Sequence, residues 1–305
     1  MGAGKLWQRV TLGRNHACGI VTDNNVNGVY CWGTELNREL GNGVVVTNQL
    51  TPGLVTATTG NTSAWTEIVA GLNYTCALRM DGTLWCWGRN TQGQLGDAST
   101  TLRADPMQVL PLGEADWVEI SASGELTCAR RAAGTLLCWG RNDVGQLGAG
   151  DVVSPVSTPK QEGSGTYSAV SAGQNHACAV ATDGTLWCWG RNASGELGLG
   201  DAMGPVLVPT QVGTDTDWLR PALGQGLSTC AIKKNGDLYC WGVGSYGQLG
   251  RGSLASFNKP QKVSSVAPWL SIALGNEHAC GVGTDGRLSC WGASNLAHVS
   301  ATEAP

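Results

Sequence analysis

Phenylalanine is almost missing from this chain, with one Phe in 305 residues beside 13 Trp and 12 Cys. Charge is scarce as well: Asp, Glu, Lys and Arg make up 14% of the residues, against about a quarter in ordinary globular domains. No run of 18 apolar residues occurs, which excludes a helical membrane span. The net charge of -4 and the want of any basic tail leave no clustered Lys and Arg for a nucleic-acid backbone. Met1 to Leu6 lacks the charged and then apolar order of a signal peptide, so none is expected there. Enzymatic signals are equally thin. The four His are His16, His176, His278 and His298, and no Gly-x-Ser-x-Gly, phosphate loop, His-Glu-x-x-His or Cys-x-x-Cys is present. No catalytic residue is assigned, and an enzyme is not expected. With 45 Gly the chain is no helical bundle, and with 42% hydrophobic residues it is not disordered.

What is there is a repeat. Cys-Trp-Gly recurs with Trp32, Trp87, Trp139, Trp189, Trp241 and Trp291, at intervals of 55, 52, 50, 52 and 50 residues. An aromatic residue opens each unit at Trp7, Trp65, Trp117, Tyr167, Trp218 and Trp269. Gly-Gln-Leu-Gly or a near copy follows the first five Cys-Trp-Gly motifs, around Leu40, Leu95, Leu147, Leu197 and Leu249. In the second unit the pattern predicts strands at Trp65–Ala70, Thr75–Met80, Thr83–Trp87 and, after Pro106, Met107–Leu110. Four short strands in a period near 50 match a propeller blade, which buries its faces only when stacked on neighbours. The expected fold is therefore all-β, a closed propeller of about six four-stranded blades, with seven as the alternative. It forms a single domain over 1–305. The repeats run approximately 7–64, 65–116, 117–166, 167–217, 218–268 and 269–305, and residues 1–6 are a closing segment. The two Trp columns are expected to pack between neighbouring sheets.

The cysteines fall into two columns, and hairpin geometry pairs them. In Arg79-Met80-Asp81-Gly82-Thr83 a type I turn followed by a left-handed Gly makes a three-residue loop. Counting outward, Leu78 then faces Leu84, Ala77 faces Trp85 and Cys76 faces Cys86, within disulfide reach. The same count predicts six intra-blade disulfides: Cys18–Cys31, Cys76–Cys86, Cys128–Cys138, Cys178–Cys188, Cys230–Cys240 and Cys280–Cys290. Buried free thiols are the rival reading. Zinc is not expected, since each unit offers two sulfurs where a structural site wants four ligands. In the chain-entropy description an 11-residue loop contributes roughly 2.8 kcal/mol at most. Disulfides of this density imply an extracytoplasmic location, whether periplasmic, cell-surface or secreted.

Two further features bear on chemistry. The first hairpin is longer, and Asp23-Asn24-Asn25-Val26-Asn27-Gly28-Val29 has the opening of a calcium loop. Asp23, Asn25 and Asn27 would offer side-chain oxygens and Val29 a carbonyl. The closing carboxylate is missing, so binding on the order of millimolar is the most it predicts, and a plain long turn is the alternative. No other cofactor is expected. His16, His176 and His278 share a column with Tyr74, Leu126 and Ser228, a tolerance that marks a turn or packing position. Asp81, Asp183 and Asp285 read as turn residues. Asn61, Asn73 and Asn192 head Asn-x-Ser/Thr sequons.

Ala-Gly-x-x-His-x-Cys-Ala-x-x-x-Asp-Gly-Thr-Leu-x-Cys-Trp-Gly-x-Asn-x-x-Gly-Gln-Leu-Gly, carried well by Asp183, Gly184, Trp189, Gly190, Asn192 and Leu197, resembles the repeat of the regulator of chromosome condensation (RCC) propeller family. The resemblance covers essentially the whole chain. It implies a ring that presents one face to a protein partner, as in members as different as a nuclear exchange factor, a plant UV-B photoreceptor and a secreted β-lactamase inhibitor. It also implies that the two residues after the Gly of Gly-x-x-His project on one rim. Those positions hold Arg14 and Asn15, Leu72 and Asn73, Gly124 and Glu125, Gln174 and Asn175, Gly226 and Leu227, and Asn276 and Glu277. No Trp occurs among them, so a photoreceptor mechanism is not implied. The inter-blade stretches 96–116 and 198–217 are a second candidate surface. The expectation is a non-enzymatic interaction or scaffold module with a protein partner, possible as a subunit of a surface assembly. A carbohydrate- or small-ligand-binding propeller and an intracellular exchange factor or regulator are the alternatives.

Overall fold

The computed structural model describes residues 6–23, 26–43, 48–55, 64–265 and 267–293. The protein is an all-β propeller of six blades, each an antiparallel sheet whose strands follow one another in sequence. Blade one is β1 (Leu6–Leu12), β2 (His16–Asp23), β3 (Val26–Thr34) and β4 (Asn48–Leu54). Blade two is β5 (Trp65–Ala70), β6 (Tyr74–Arg79), β7 (Leu84–Gly88) and β8 (Arg103–Gln108). Blade three is β9 (Trp117–Ser123), β10 (Leu126–Arg131), β11 (Leu136–Gly140) and β12 (Val156–Gln161). Blade four is β13 (Tyr167–Ala172), β14 (His176–Ala181), β15 (Leu186–Gly190) and β16 (Val206–Gln211). Blade five is β17 (Trp218–Leu223), β18 (Ser228–Lys233), β19 (Leu238–Gly242) and β20 (Phe257–Lys262). Blade six shows β21 (Trp269–Leu274), β22 (His278–Gly283) and β23 (Leu288–Gly292) among the described residues. The chain packs as two compact units, residues 1–143 with 153–161 and residues 144–152 with 162–305. Of the expected closing segment 1–6, residues 1–5 lie outside the described residues, and Leu6 opens β1.

The three-residue hairpin forms as the spacing requires. Leu78 pairs with Leu84, Ala77 with Trp85 and Cys76 with Cys86, and the Arg79 N–H donates to the Thr83 carbonyl at 3.0 Å. Gly82 sits at φ +77°, and a Cβ there would lie 2.3 Å from the Ala115 carbonyl, so the position admits no side chain. All six cysteine pairs are bonded, each with Cα atoms 4.1 Å apart, and free cysteines are absent. Each staple therefore joins the second and third strands of its own blade.

The fourth strand departs from expectation. It begins before its proline and runs through it: β8 spans Arg103–Gln108, with Pro106 inside. Pro52, Pro159, Pro209 and Pro260 occupy the same place in β4, β12, β16 and β20. In blade two Gly88 pairs with Arg103 and Cys86 with Met107, so Pro106 falls in a bulge between paired positions. A residue with no N–H is tolerated there because the strand is the outermost of its sheet. It also blunts an edge that would otherwise template pairing with another chain.

Seams between blades are built from the repeated residues. Trp65, Ile68, Ala77, Trp85 and Trp87 of blade two pack on Cys18, Ile20, Val29, Cys31, Leu40 and Val55 of blade one. The seam between blades four and five repeats this with Trp218 and Trp241 against Cys178, Val180, Leu186, Leu197 and Val212. Both Trp columns thus pack between sheets, with Trp65 and Trp87 edge to face at 6.4 Å. The buried indoles are also fixed by polarity. Trp87 Nε1 donates to the Glu39 carbonyl at 3.0 Å, and Trp139 to Gln94, Trp189 to Gln146, Trp241 to Glu196 and Trp291 to Gln248, all at 2.9–3.0 Å. The acceptor in every case belongs to the Gly-Gln-Leu-Gly turn of the preceding repeat. A buried indole N–H without an acceptor would cost about 1–3 kcal/mol, so the turn and the indole are selected together. The Gly that ends the turn completes the fit: a Cβ on Gly198, at φ +76°, would stand 2.7 Å from Trp241 Nε1.

Candidate functional site

The Gly-x-x-His turns join the first and second strands of each blade, and backbone bonds link them from blade to blade. In the first unit Arg14 N–H donates to the Leu72 carbonyl at 3.0 Å and Leu72 N–H to the Gly124 carbonyl at 2.8 Å. In the second, Gln174 N–H donates to the Gly224 carbonyl at 3.3 Å. Within each unit, then, the turns form one rim. The residue after Trp-Gly is drawn to it too, since Arg89, Arg141 and Arg191 donate their N–H groups to the carbonyls of Asn73, Glu125 and Asn175.

Side chains on this rim differ in how free they are. Arg14, Asn15 and Asn276 are exposed, Leu72, Glu125, Gln174, Asn175, Leu227 and Glu277 are half-buried, and Asn73 is buried. Glu125 lies between two guanidinium groups, with Arg89 Nη1 at 3.3 Å and Arg141 Nη1 at 4.0 Å. Arg141 also grips Asp143 with two nitrogens at 2.9 and 2.6 Å. Arg191 holds the buried Glu196 at 2.9 Å. The three arginines were not singled out from the sequence, although Trp-Gly-Arg-Asn occurs three times and marks them. Half-exposed pairs of this kind contribute about 0–1 kcal/mol, so they are cheap to rearrange against a partner.

The histidine column proves to be a seam element. His16 Nε2 is 3.0 Å from Thr75 Oγ1 in the next blade, and His176 Nε2 is 2.8 Å from Thr229 Oγ1. Each threonine hydroxyl donates to a turn carbonyl, Glu39 at 3.0 Å and Glu196 at 2.7 Å, the same atoms that accept the indoles. The hydroxyl proton being spent, the imidazole must be the donor at Nε2. Nδ1 of both rings is buried with no hydrogen-bond partner, so a second ring proton has no acceptor. Burial pushes the His16 imidazole down to about 4. Burial, and then the Arg191 charge, pushes His176 down to about 3. Tyr74 does the same duty between blades two and three, 2.8 Å from Thr127 Oγ1 and donating to the Leu126 carbonyl at 2.7 Å. The sequence carried this signal unread. Thr precedes the first Cys at Thr75, Thr127 and Thr229, where the blade before offers His or Tyr, and Ala stands at Ala177 and Ala279, where it offers Leu126 or Ser228.

The long first hairpin is a ladder. Cys18 pairs with Cys31 and pairing continues through Thr22–Asn27 to Asp23–Val26. Asn27 Oδ1 accepts from Thr22 Oγ1 at 2.7 Å and its Nδ2 donates to the Trp65 carbonyl at 3.2 Å. The Val29 carbonyl accepts the Val55 N–H at 2.9 Å. The Asn27 and Val29 oxygens expected to face calcium are thus engaged in blade one's own pairing, while Asn25 lies outside the described residues. Among the described residues no three His, Cys, Asp or Glu side chains converge as metal ligands. The Asp residues serve the turns: Asp183 accepts from Thr185 N and Oγ1 at 2.9 and 2.6 Å, which holds its carboxyl below the usual range. Two sequons are closed by packing, since Asn192 has no exposed surface and Asn73 is 8% exposed. Asn61 lies outside the described residues. No helix of the described residues is long and apolar enough to cross a membrane.

Blades locked by indole-to-carbonyl bonds, with their turns gathered on a rim, define a repeat propeller of the protein-interaction or regulator type. The chain belongs to the RCC1-like domain family, which matches residues 3–302. It is similar to the mouse E3 ubiquitin-protein ligase HERC2, 28% identical over 273 residues, which are 88% of this chain and 5% of that protein. It is also similar to the ultraviolet-B receptor UVR8 of Arabidopsis thaliana, 32% identical over 238 residues, 76% of this chain and 54% of the receptor. Among solved structures, yeast RCC1 (Prp20) bound to Kap60 superposes with a TM-score of 0.80 at 21% identity, covering 94% of this chain and 70% of that one. The chain therefore spans a small part of HERC2 and about half of UVR8.

Proposed function

We propose that this chain acts as a single propeller domain over 1–305, a non-enzymatic interaction module of an extracytoplasmic compartment, whose Gly-x-x-His rim receives a protein partner. The observation that supports the rim is the set of exposed Arg14 and Asn15 beside the Arg89–Glu125–Arg141 cluster, polar groups held by weak pairs on a stapled frame. A frame of this kind loses little entropy on binding, and its charges fit a wet, moderate interface. The yeast relative was crystallised with Kap60, a protein partner, which agrees with this class of role. Six disulfides support the compartment, because such bonds persist where the surroundings oxidise.

Two measurements test the two halves of the reading. Intact mass after thiol alkylation, on protein from its native source, should show no labelled cysteine until reductant is added. Twelve labelled thiols without reductant would favour an intracellular regulator instead. Cross-linking with mass mapping in the same source should place a partner's cross-links at the rim residues. Cross-links concentrated on 96–116 and 198–217 would move the interface to the outer loops.

A further inference from the structure

The second strand of blades two, three and five ends in a cation laid on the blade's own aromatic side chains. The Arg79 guanidinium carbon is 4.4 Å from the centre of Trp65 and 4.8 Å from that of Trp85, so one charge serves two indoles. Lys233 Nζ is 5.0 Å from Trp218 and 5.2 Å from Tyr239, and the Arg131 guanidinium lies 4.7 Å over Trp117. The aromatic quadrupole attracts the charge, more strongly where water is excluded. Carboxylates of the preceding loop complete two of these sites, Glu114 and Asp116 at Arg131 and Asp215 and Asp217 at Lys233. Blade four keeps the aromatic pair and drops the cation. Tyr167 pairs with Ala181 where Trp65 pairs with Arg79, and Ala179 with Trp187 where Ala77 pairs with Trp85. Trp187 is held as Trp85 is, its Nε1 donating to Thr185 Oγ1 at 2.8 Å, against 2.9 Å from Trp85 to Thr83.

A carboxylate reaches blade four by another route. Ser164 and Thr166 stand where the loops of blades three and five carry their acids. Glu162 instead occupies the column of Val55, Val109, Val212 and Val263, each of which shares a core cluster with the Trp that opens the next blade. Glu162 has no exposed surface, and burial, then the Glu162 charge, pushes the Tyr167 hydroxyl above its ordinary range. Tyr167, Ala181, Trp187 and Glu162 all belong to the second unit. Ala181 and Trp187 are half-buried, whereas Arg79 and Lys233 are 2% and 8% exposed, so the place stays open to solvent. We propose that these four residues form a binding site for an organic cation, an alkylammonium or guanidinium group that takes the position of Arg79 and Lys233 in the sister blades. The aromatic pair attracts the charge, Glu162 supplies the counter-charge, and the short Ala181 side chain leaves the length of a lysine to the ligand. The site lies at the hairpin end of β14, opposite the Gly-x-x-His turns, and does not rest on the rim proposed above.

The probe is butylammonium chloride, with 1-butanol as its neutral match, titrated into the full chain while NMR follows the Trp187 indole N–H. Butylammonium should shift that resonance saturably, with a midpoint on the order of millimolar, and butanol should not. Ala181→Lys, which gives blade four the cation of blade five, should abolish the shift and raise Tm by about 2 °C. Glu162→Gln should weaken binding by at least about fivefold. Tighter binding of Nα-acetyl-lysinamide than of butylammonium assigns the site to a lysine side chain of a partner, and equal or weaker binding assigns it to a free amine. The proposal falls if neither cation saturates, if butanol shifts the resonance equally, or if Ala181→Lys or Glu162→Gln binds as the parent does. It falls as well if Ala181→Lys does not fold, because the position is then already filled by the chain's own packing.

Discussion

The indole nitrogen of Trp241 lies 2.9 Å from the backbone carbonyl of Glu196, and Thr229 Oγ1 reaches the same oxygen at 2.7 Å. One carbonyl on the turn leaving blade four thus takes two donors from blade five, one aromatic and one hydroxyl. Trp and the turn recur together in all five such seams, and Thr joins them at Thr75, Thr127 and Thr229. The buried carbonyl is satisfied by the donors that the next blade places over it.

Trp241→Phe removes the donor and the second ring from a fully buried site, so urea unfolding should show a loss of at least about 1–3 kcal/mol. Trp32→Phe in the same assay should cost less, because the ring is half-buried and among the described residues no carbonyl receives that indole. Equal costs at the two positions would mean that ring packing, and not the hydrogen bond, distinguishes the seams.

Acid should weaken the seams through His16 and His176. Both are neutral in the folded chain down to about 4 and about 3, while an unfolded histidine takes its proton near 6.5. The unfolded state therefore binds more protons below 6.5. Stability present in full above that pH is lost progressively as pH falls, until about 4 for His16 and about 3 for His176. Between pH 7 and 4.5 the two together should cost a few kcal/mol. His16→Gln with His176→Gln should flatten the denaturant midpoint over that range. A midpoint profile as steep as the parent's would assign the acid loss to other groups.

Reduction should begin at blade six. Cys280 and Cys290 are half-exposed, whereas the other ten cysteines are at most 1% exposed. Brief treatment with a mild thiol followed by alkylation and peptide mapping should label Cys280 and Cys290 first. Early labelling of Cys178 and Cys188, which have no exposed surface, would show that blade opening and not accessibility governs the order. Replacing the Cys178–Cys188 pair by Ala should remove up to about 2.8 kcal/mol by the chain-entropy relation.

Glu125→Gln on the rim should leave thermal stability nearly unchanged, within about 1 kcal/mol, since Arg89 and Arg141 are about a third exposed. It should alter binding of a partner that reads charge there, measured as a change in salt dependence of the association. A large drop in Tm would show that Glu125 is a structural brace.

Much of the fold was legible because the signals are local. The loop around Gly82 has an odd number of residues, and that alone opposes Cys76 to Cys86, whatever the blades do. Its left-handed Gly is demanded by the same few residues. The fourth strands were the weak point, because Pro106 reads as a break, and only its place in a bulge of the outermost strand makes it compatible with pairing. The long first hairpin admitted two readings, a calcium loop and a plain long turn. Asp23-Asn24-Asn25-Val26-Asn27-Gly28 fits a calcium loop by composition, while residue parity lets the ladder continue to Asp23–Val26; the Thr22 hydroxyl donates to Asn27 Oδ1 and the Val55 N–H to the Val29 carbonyl.

By itself the sequence determined the blade, its staple and its number of repeats, since each depends on spacings within about 50 residues. Tertiary structure decided what lies between blades. That His16 serves Thr75, that one carbonyl is shared by Trp241 and Thr229, and that Arg89 and Arg141 flank Glu125 are all contacts between repeats. Such contacts depend on how sheets stack, and stacking buries apolar surface while giving most enclosed polar atoms a partner. No spacing within one repeat records that outcome.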